Sequence, residues 1–435
     1  MLTVKNNQVT IQTDGTLFSE KLLAASEHFD SFMFLRGEGL LKHGNPVALV
    51  AAGVESELRH TGRNYFDSLE TYRRSVGQNI FGFLGYDLKN ELEKLSSDNP
   101  DITESPAAYF FEPAYLFDVS RNSVTVSGNR TLAELSSEFE RIYSLKNDTP
   151  AALHSPPEFR CRYSKEAYYE AISEIKKHLQ RGDIYELNFC IEFYAESFKE
   201  APAALFSRLY DFSPMPFSLY FKMGDHHLLC ASPERFLKKE GKHIISQPMK
   251  GTVKRGNNEL EDAALKLQLE NDQKERSENI MIVDLVRNDL SKVAAPGTVR
   301  VDELCSVYQF PNVFQMISTV SAEVRNEFNP TQIIAAAFPM GSMTGAPKIR
   351  AMQLIDTFEH SRRGVFSGAA GYLTPNGDFD FNVIIRSFVY NAASGYLSYQ
   401  AGSAITIASE AEKEYNECML KAASVFKMAD SAIRV

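Results

Sequence analysis

The stretch 364–407 most narrows what this chain can become. It reads as one strand after another, β-branched and aromatic residues broken only by short turn signals. Strands joined by tight turns lie antiparallel, because a parallel pair needs a crossover of a dozen or more residues. Asn376-Gly377 marks one such turn, since a type I′ hairpin takes positive φ at both central residues. Residues 228–252 read as strands around a turn at Glu240-Gly241. Elsewhere the period changes. Residues 164–181 predict a helix ended by Gly182, and 258–293, rich in Leu, Ala, Glu, Lys and Asn, also read as helix. Ser409 and Glu412 have the spacing of a capping box opening a last helix. Such blocks predict an α+β fold with largely antiparallel sheets.

Three regions follow. Residues 1–145 mix short strands with polar helices. Residues 146–160 hold Pro, Asn, Asp and Ser and read as a linker or long surface loop. Residues 161–435 carry most of the chemistry. A chain of 435 residues can bury a large core and a deep pocket. Its net charge of −10 and the absence of a basic patch argue against nucleic acid as a partner. A pocket for an anion in so acidic a chain must be locally positive or carry a metal. The five cysteines are scattered, without metal-ligand spacing, which predicts reduced thiols in a cytoplasmic protein. The N-terminus has no apolar segment of signal-peptide length, and no apolar run is long enough to span a bilayer, so no membrane role is expected.

Several residue groups could carry chemistry. Glu275 and Glu278 share a helix face, as do Glu414 and Glu417. Two such faces could hold one hard cation such as Mg²⁺; equally, each could be a solvated surface. Gly341-Ser342-Met343-Thr344-Gly345-Ala346-Pro347-Lys348 is a small-residue loop feeding a helix, able to offer N–H groups, a positive dipole and the Lys348 charge to an anion, or simply to cap the helix. Arg386 lies in an apolar strand pattern and needs a carboxylate, from a ligand or from an internal Asp or Glu. Glu234, at the end of an apolar strand, suits a general acid or base, or a turn carboxylate paired with Arg235. Lys250 precedes Gly251 near a strand end. A lysine partly buried near other cations would lose its proton readily and act as a nucleophile; an isolated one would be a surface lysine. There is no Gly-x-Ser-x-Gly elbow, no His-Glu-x-x-His site, no dinucleotide glycine fingerprint, and no Gly-x-Cys-x-Gly glutaminase elbow.

Together these segments resemble the chorismate-utilising enzymes, a family that includes anthranilate, isochorismate and salicylate synthases. The resemblance covers essentially all of 161–435. It runs through Gly182-Asp183-Ile184-Tyr185, Ser232-Pro233-Glu234-Arg235-Phe236, Pro248-Met249-Lys250-Gly251-Thr252, Val283-Asp284-Leu285-Val286-Arg287-Asn288-Asp289, Gly345-Ala346-Pro347-Lys348, Gly371-Tyr372-Leu373 and Ile385-Arg386-Ser387. Phe81-Gly82-Phe83-Leu84-Gly85-Tyr86-Asp87 extends it more weakly into the N-terminal part. The resemblance implies two stacked, mainly antiparallel sheets flanked by helices, with the pocket between the sheets. It implies Mg²⁺ on Glu278 and Glu417, with Glu275 and Glu414 close by. It further implies a chorismate carboxylate bound by Arg386, Tyr372 and the backbone around Gly402, beside the loop of Thr344, Gly345 and Lys348. Glu234 would protonate the departing hydroxyl.

Two positions separate the branches. Anthranilate synthases carry Ala where this chain has Lys250; in the branch that aminates chorismate at C4, the lysine is thought to attack C2 as the C4 hydroxyl leaves. Isochorismate and salicylate synthases carry a water-activating Lys where this chain has Glu186, and the aminating branches usually carry Gln. The resemblance therefore implies 4-amino-4-deoxychorismate as product, on the way to p-aminobenzoate and folate, with ammonia from a separate glutaminase. Alternatives are anthranilate formation or a catalytically impaired chorismate-binding subunit. One departure is Gln315, where the family usually has a His near the substrate ring; Gln can hydrogen-bond but does not titrate near neutrality.

Overall fold

In the computed structural model, which describes residues 2–5, 8–36, 46–146, 156–429 and 433–434, the strands pair almost entirely antiparallel. The N-terminal third supplies β1 (Gln8–Gln12), β2 (Ser31–Arg36), β3 (Pro46–Arg59), β4 (Ile80–Leu84), β5 (Ala108–Ser120) and β6 (Ser123–Ser127). The middle supplies β7 (Glu186–Ala195), β8 (Phe217–Met223), β9 (His226–Ser232), β10 (Arg235–Glu240), β11 (His243–Gln247) and β12 (Met249–Lys254). The last part supplies β13 (Arg300–Gln309), β14 (Val313–Glu323), β15 (Gly345–Ala346), β16 (Ala369–Leu373), β17 (Phe379–Val383), β18 (Ser387–Asn391) and β19 (Tyr396–Ile405).

One ladder runs β1-β6-β5-β3-β2-β8-β9-β18-β19-β7. A second runs β5-β4-β16-β17-β10-β11-β14, with β12 and β13 also on β14. The 13-residue β5 belongs to both, pairing with β3 along most of its length and with β4 at its start. Because β2 pairs with β8 and β4 with β16, the N-terminal third shares both ladders with the rest of the chain.

Side-chain alternation sorts each strand between two cores. Met33 and Leu35 of β2, Leu219 and Phe221 of β8, and Phe81 and Phe83 of β4 join one cluster between the ladders. Phe32, Phe34 and Tyr220 face the opposite way, into a cluster shared with helices α1 (Lys165–Arg181), α4 (Lys348–Phe358) and α5 (Ala411–Met428). Ile80 and Leu84 join a further cluster that also holds residues of helix α3 (Gln273–Ser291), which follows α2 (Glu259–Asn271). The strands are therefore apolar on both faces, and each large side chain removed from water contributes roughly 1.5–3 kcal/mol. The result is the expected α+β arrangement, two stacked antiparallel sheets with helices outside.

Local signals fared unevenly. Helix α1 starts after Ser164, whose side chain accepts from Ala167 N–H, and stops at left-handed Gly182. The helix expected over 258–293 is two, because Asp272 takes an extended ψ of 113° and uses its carboxylate to cap the Glu275 N–H. The turn at Asn376-Gly377 is not type I′: Gly377 has φ +84°, but Asn376 is not left-handed. Pro375 fixes its own φ near −65°, which suits a type I turn followed by a glycine bulge, and Gly377 N–H bonds to Thr374 O at 3.0 Å. The capping box is absent as well. Ser409 Oγ instead accepts from Thr406 N–H, and α5 starts after Glu410 with no side-chain cap. The linker expected at 146–160 lies mostly outside the described residues. Among those residues no helix is long and apolar enough to cross a membrane.

Candidate active site

Three elements bring the first site residues together: the start of β7 with Glu186, the bulged β12 with Lys250, and α3 with Glu278. The β12–β14 register shifts between Met249 and Thr252, and Gly251 takes φ +82°. Such a bulge re-aims a side chain. A Cβ at Gly251 would lie 3.2 Å from Glu275, so helix α3 approaches the bulge closely. Gln315 on β14 braces this bulge, donating to Gly251 O and accepting from Thr252 Oγ1, both at 2.7 Å.

Lys250 Nζ lies 3.2 Å from Glu186 Oε1. Glu186 is 1% exposed, and neither of its oxygens has an aligned hydrogen-bond donor among the described residues. Burial works against the Lys250 ammonium, but Glu186, Glu278 and Glu234 outweigh it and hold its pKa above the ordinary lysine value. The expectation of a lysine discharged by neighbouring cations is thus overturned: its neighbours are carboxylates, which stabilise the ammonium.

Glu234 sits in the turn between β9 and β10. Its carboxyl accepts a 2.6 Å hydrogen bond from Ser342 Oγ. Burial pushes its pKa up to about 7, against the pull of Ser342, Lys250, Arg386 and the Met249 N–H. Arg235 is not its partner, because Arg235 forks onto Asp380 at 3.0 and 3.1 Å. Arg386 lies between β17 and β18 with φ +51°, not within a strand. Its described side-chain contact is Met215 Sδ at 3.9 Å, and burial lowers its pKa against the pull of Tyr399 and Glu234. Among the described residues it forms no ion pair, so its fork is open to a ligand carboxylate.

The loop before α4 packs on β7. Gly345 has φ +144°, and a Cβ there would meet Glu186 O at 2.2 Å. Thr344 Oγ1 donates back to Met340 O and Gly341 O, at 3.3 and 3.2 Å. Lys348 does not serve an anion. Its ammonium is held by Asp289 at 2.5 Å and by the carbonyls of Ala337 and Pro339. A buried cation takes the partner nearest at hand, and α3 provides it. Arg363, which sequence reading missed, ties this loop to β7 by donating to Met343 O at 2.5 Å and Asn188 O at 2.8 Å while pairing with Glu359. Ser342 was missed too: it stood within a recognised segment, but its partner lies 108 positions away.

The two Glu-x-x-Glu faces meet through Lys274, whose Nζ is 3.8 Å from both Glu278 and Glu414. Burial raises Glu278 to about 7 and also raises Glu275. Glu278 Oε1 is buried without a hydrogen-bond partner. Glu417 is half exposed and pairs with Lys421 at 2.7 Å. Among the described residues no three His, Cys, Asp or Glu side chains close on one point. Mg²⁺ needs only one or two carboxylates beside water and substrate oxygens, so these donors fit it. Tyr372 and Gly402 have partners of their own. Tyr372 packs on Phe81, with Asp380 and Arg235 as its nearest charges, and Gly402 O accepts from Lys421. A depression of about 540 Å³ lined by Tyr220, His227 and Tyr390 shares no residue with this site.

Comparison with known proteins places the chain in a family. The model of the chorismate binding enzyme family matches residues 38–427. The chain is 31% identical over 398 residues to aminodeoxychorismate synthase component 1 of Bacillus subtilis, covering 88% of this chain and 83% of that protein. It is 35% identical over 361 residues to anthranilate synthase component 1 of Thermus thermophilus, covering 81% and 78%. The crystal structure of anthranilate synthase component I from Streptococcus pneumoniae shares the fold, with a TM-score of 0.75 at 22% identity over 98% of this chain and 93% of that one. With the match spanning both ladders and the buried acid–lysine pocket, the chain belongs to the chorismate-binding enzymes.

Proposed function

We propose that this chain aminates chorismate at C4 to give 4-amino-4-deoxychorismate, using Lys250 as nucleophile and ammonia supplied by a separate glutaminase. Overall identity does not separate this reaction from anthranilate formation, since relatives of both names match at 31% and 35%. The observation that carries the reading is Lys250 itself: its side chain is largely buried, 3.2 Å from Glu186 and within the field of Glu234, and is not a surface lysine.

One carboxylate of chorismate takes the open fork of Arg386. Glu278 and Glu417 would hold Mg²⁺, with Glu275 and Glu414 beside them, and a bound Mg²⁺ supplies positive charge to a substrate carboxylate and to the leaving hydroxyl. Glu234, about half protonated at neutral pH, gives its proton to the C4 oxygen as that bond breaks. Lys250 attacks C2 as both ring double bonds shift toward C4 and the protonated C4 oxygen leaves as water, once its own proton has passed to Glu186, the acceptor 3.2 Å away. Ammonia then adds at C4, both double bonds shift back, and the bond from C2 to Lys250 breaks. With no glutaminase elbow in the sequence, the chain alone uses ammonium but not glutamine.

The test is product analysis, by mass and fluorescence, with purified chain, chorismate, Mg²⁺ and ammonium. The expected product is 4-amino-4-deoxychorismate, and Lys250→Ala should slow its formation at least ~100-fold, the scale of removing a positioned catalytic group. Release of anthranilate without an added lyase would sink the C4 assignment. Indifference to Lys250→Ala would sink the nucleophile.

A further inference from the structure

We propose that Ser342 is a positioning residue for proton delivery, its hydroxyl fixing which oxygen of Glu234 faces the leaving group. The inference rests on the reading of Glu234 as the acid. Ser342 lies in the short turn Gly341–Met343 and is 6% exposed. Its Oγ donates to Glu234 Oε1 at 2.6 Å. An oxygen that accepts this bond disfavours the carboxyl's own proton, which then resides on Oε2 and is free to be delivered.

The turn is built to hold that hydroxyl still. Asn188 on β7 grips it twice: its Nδ2 donates to Ser342 O at 3.0 Å, and its N–H donates to Thr344 O at 2.9 Å. Arg363 holds the intervening Met343 O, and is itself pinned by Glu359. A Cβ on Gly341 would press on Leu285 at 2.7 Å, so α3 closes the remaining side. The other groups facing the Glu234 carboxyl are Lys250 from β12, Arg386 from the β17–β18 connection, and the Met249 N–H. Ser232 Oγ meets the Glu234 backbone N–H, not its carboxyl. Ser342 is thus the side-chain hydroxyl that orients this acid.

The test is the pH profile of kcat/KM for chorismate at constant free ammonia. The donor favours the ionised carboxyl, so removing it raises the Glu234 pKa and extends the protonated form to higher pH. Ser342→Ala should therefore move the alkaline limb upward by about one pH unit and lower the plateau roughly tenfold, as expected for a lost hydrogen bond to a charged group. Ser342→Thr, which keeps the hydroxyl, should restore both. A folded Ser342→Ala enzyme with a slower rate but an unmoved limb overturns the proposal. Should that variant fail to fold, Ser342→Cys, a nearly isosteric but weak donor, must give an intermediate shift, and an unmoved limb there overturns it equally. Glu234→Gln separates the two levels. If it leaves the alkaline limb in place, the acid assignment itself fails; if it removes the limb while Ser342→Ala does not shift it, only the positioning role fails.

Discussion

Arg386 bears a half-buried guanidinium that, among the described residues, has no carboxylate within ion-pair distance. Desolvating an unpaired charge costs several kcal/mol, and a protein keeps such a group when a ligand supplies the counter-charge. Arg386→Gln should therefore raise the KM for chorismate by about 10- to 100-fold, the scale of a lost charge-assisted pair, while kcat changes less. Steady-state kinetics and a thermal melt check this together, and the free variant should melt no lower than the parent. Lys250 presents the opposite balance, with three carboxylates around one ammonium. Its residue type was readable in the sequence, and so was its place beside Gly251. The sign of its surroundings was not, because Glu186, Glu278 and Glu234 come from three other elements.

At the scale of elements, the site is a strap laid across a strand. The loop before α4 crosses β7, with Gly345 opposite Leu187 and Ala346 opposite Glu186. Gly345 combines a left-handed φ of +144° with a carbonyl only 2.2 Å from where a Cβ would sit. Gly345→Ala should cost about 2–4 kcal/mol, from backbone strain plus overpacking, measured by denaturant unfolding. Activity should fall as well, since the displaced backbone is that of Glu186. A neutral result would mean the strap yields freely. Helix α1 was legible from Ser164 to Gly182 because a cap and a stop are local chemistry. The break at Asp272 and the reassigned Ser409 were not legible. Each depends on which of several possible hydrogen bonds the packed structure favours.

For the whole molecule, the pocket runs against stability. Glu234 is held near 7 by burial, against an ordinary value of 4.5. A carboxyl with a raised folded-state pKa contributes stability that is present below its unfolded value and lost as pH climbs through its folded value. For Glu234 that loss spans about pH 4.5 to 7 and is of order 3 kcal/mol. Glu234→Gln should remove it. The variant should show a flatter dependence of unfolding free energy on pH and greater stability than the parent at pH 8, though with much reduced activity; denaturant titrations at several pH values check this. Equal slopes for the two proteins would show that the carboxyl is not buried as described. The two-ladder frame bears this cost through its three-layered apolar packing. By itself the sequence determined the antiparallel strands, the family segments in order, and a lysine at position 250, since periodicity, turn chemistry and residue type are properties of neighbours along the chain. Only the tertiary structure decided that Lys348 belongs to Asp289, that Ser342 meets Glu234 across 108 positions, and that carboxylates surround Lys250. Charge state and hydrogen-bond choice depend on whatever lies within a few ångströms, and folding brings those groups from distant parts of the chain.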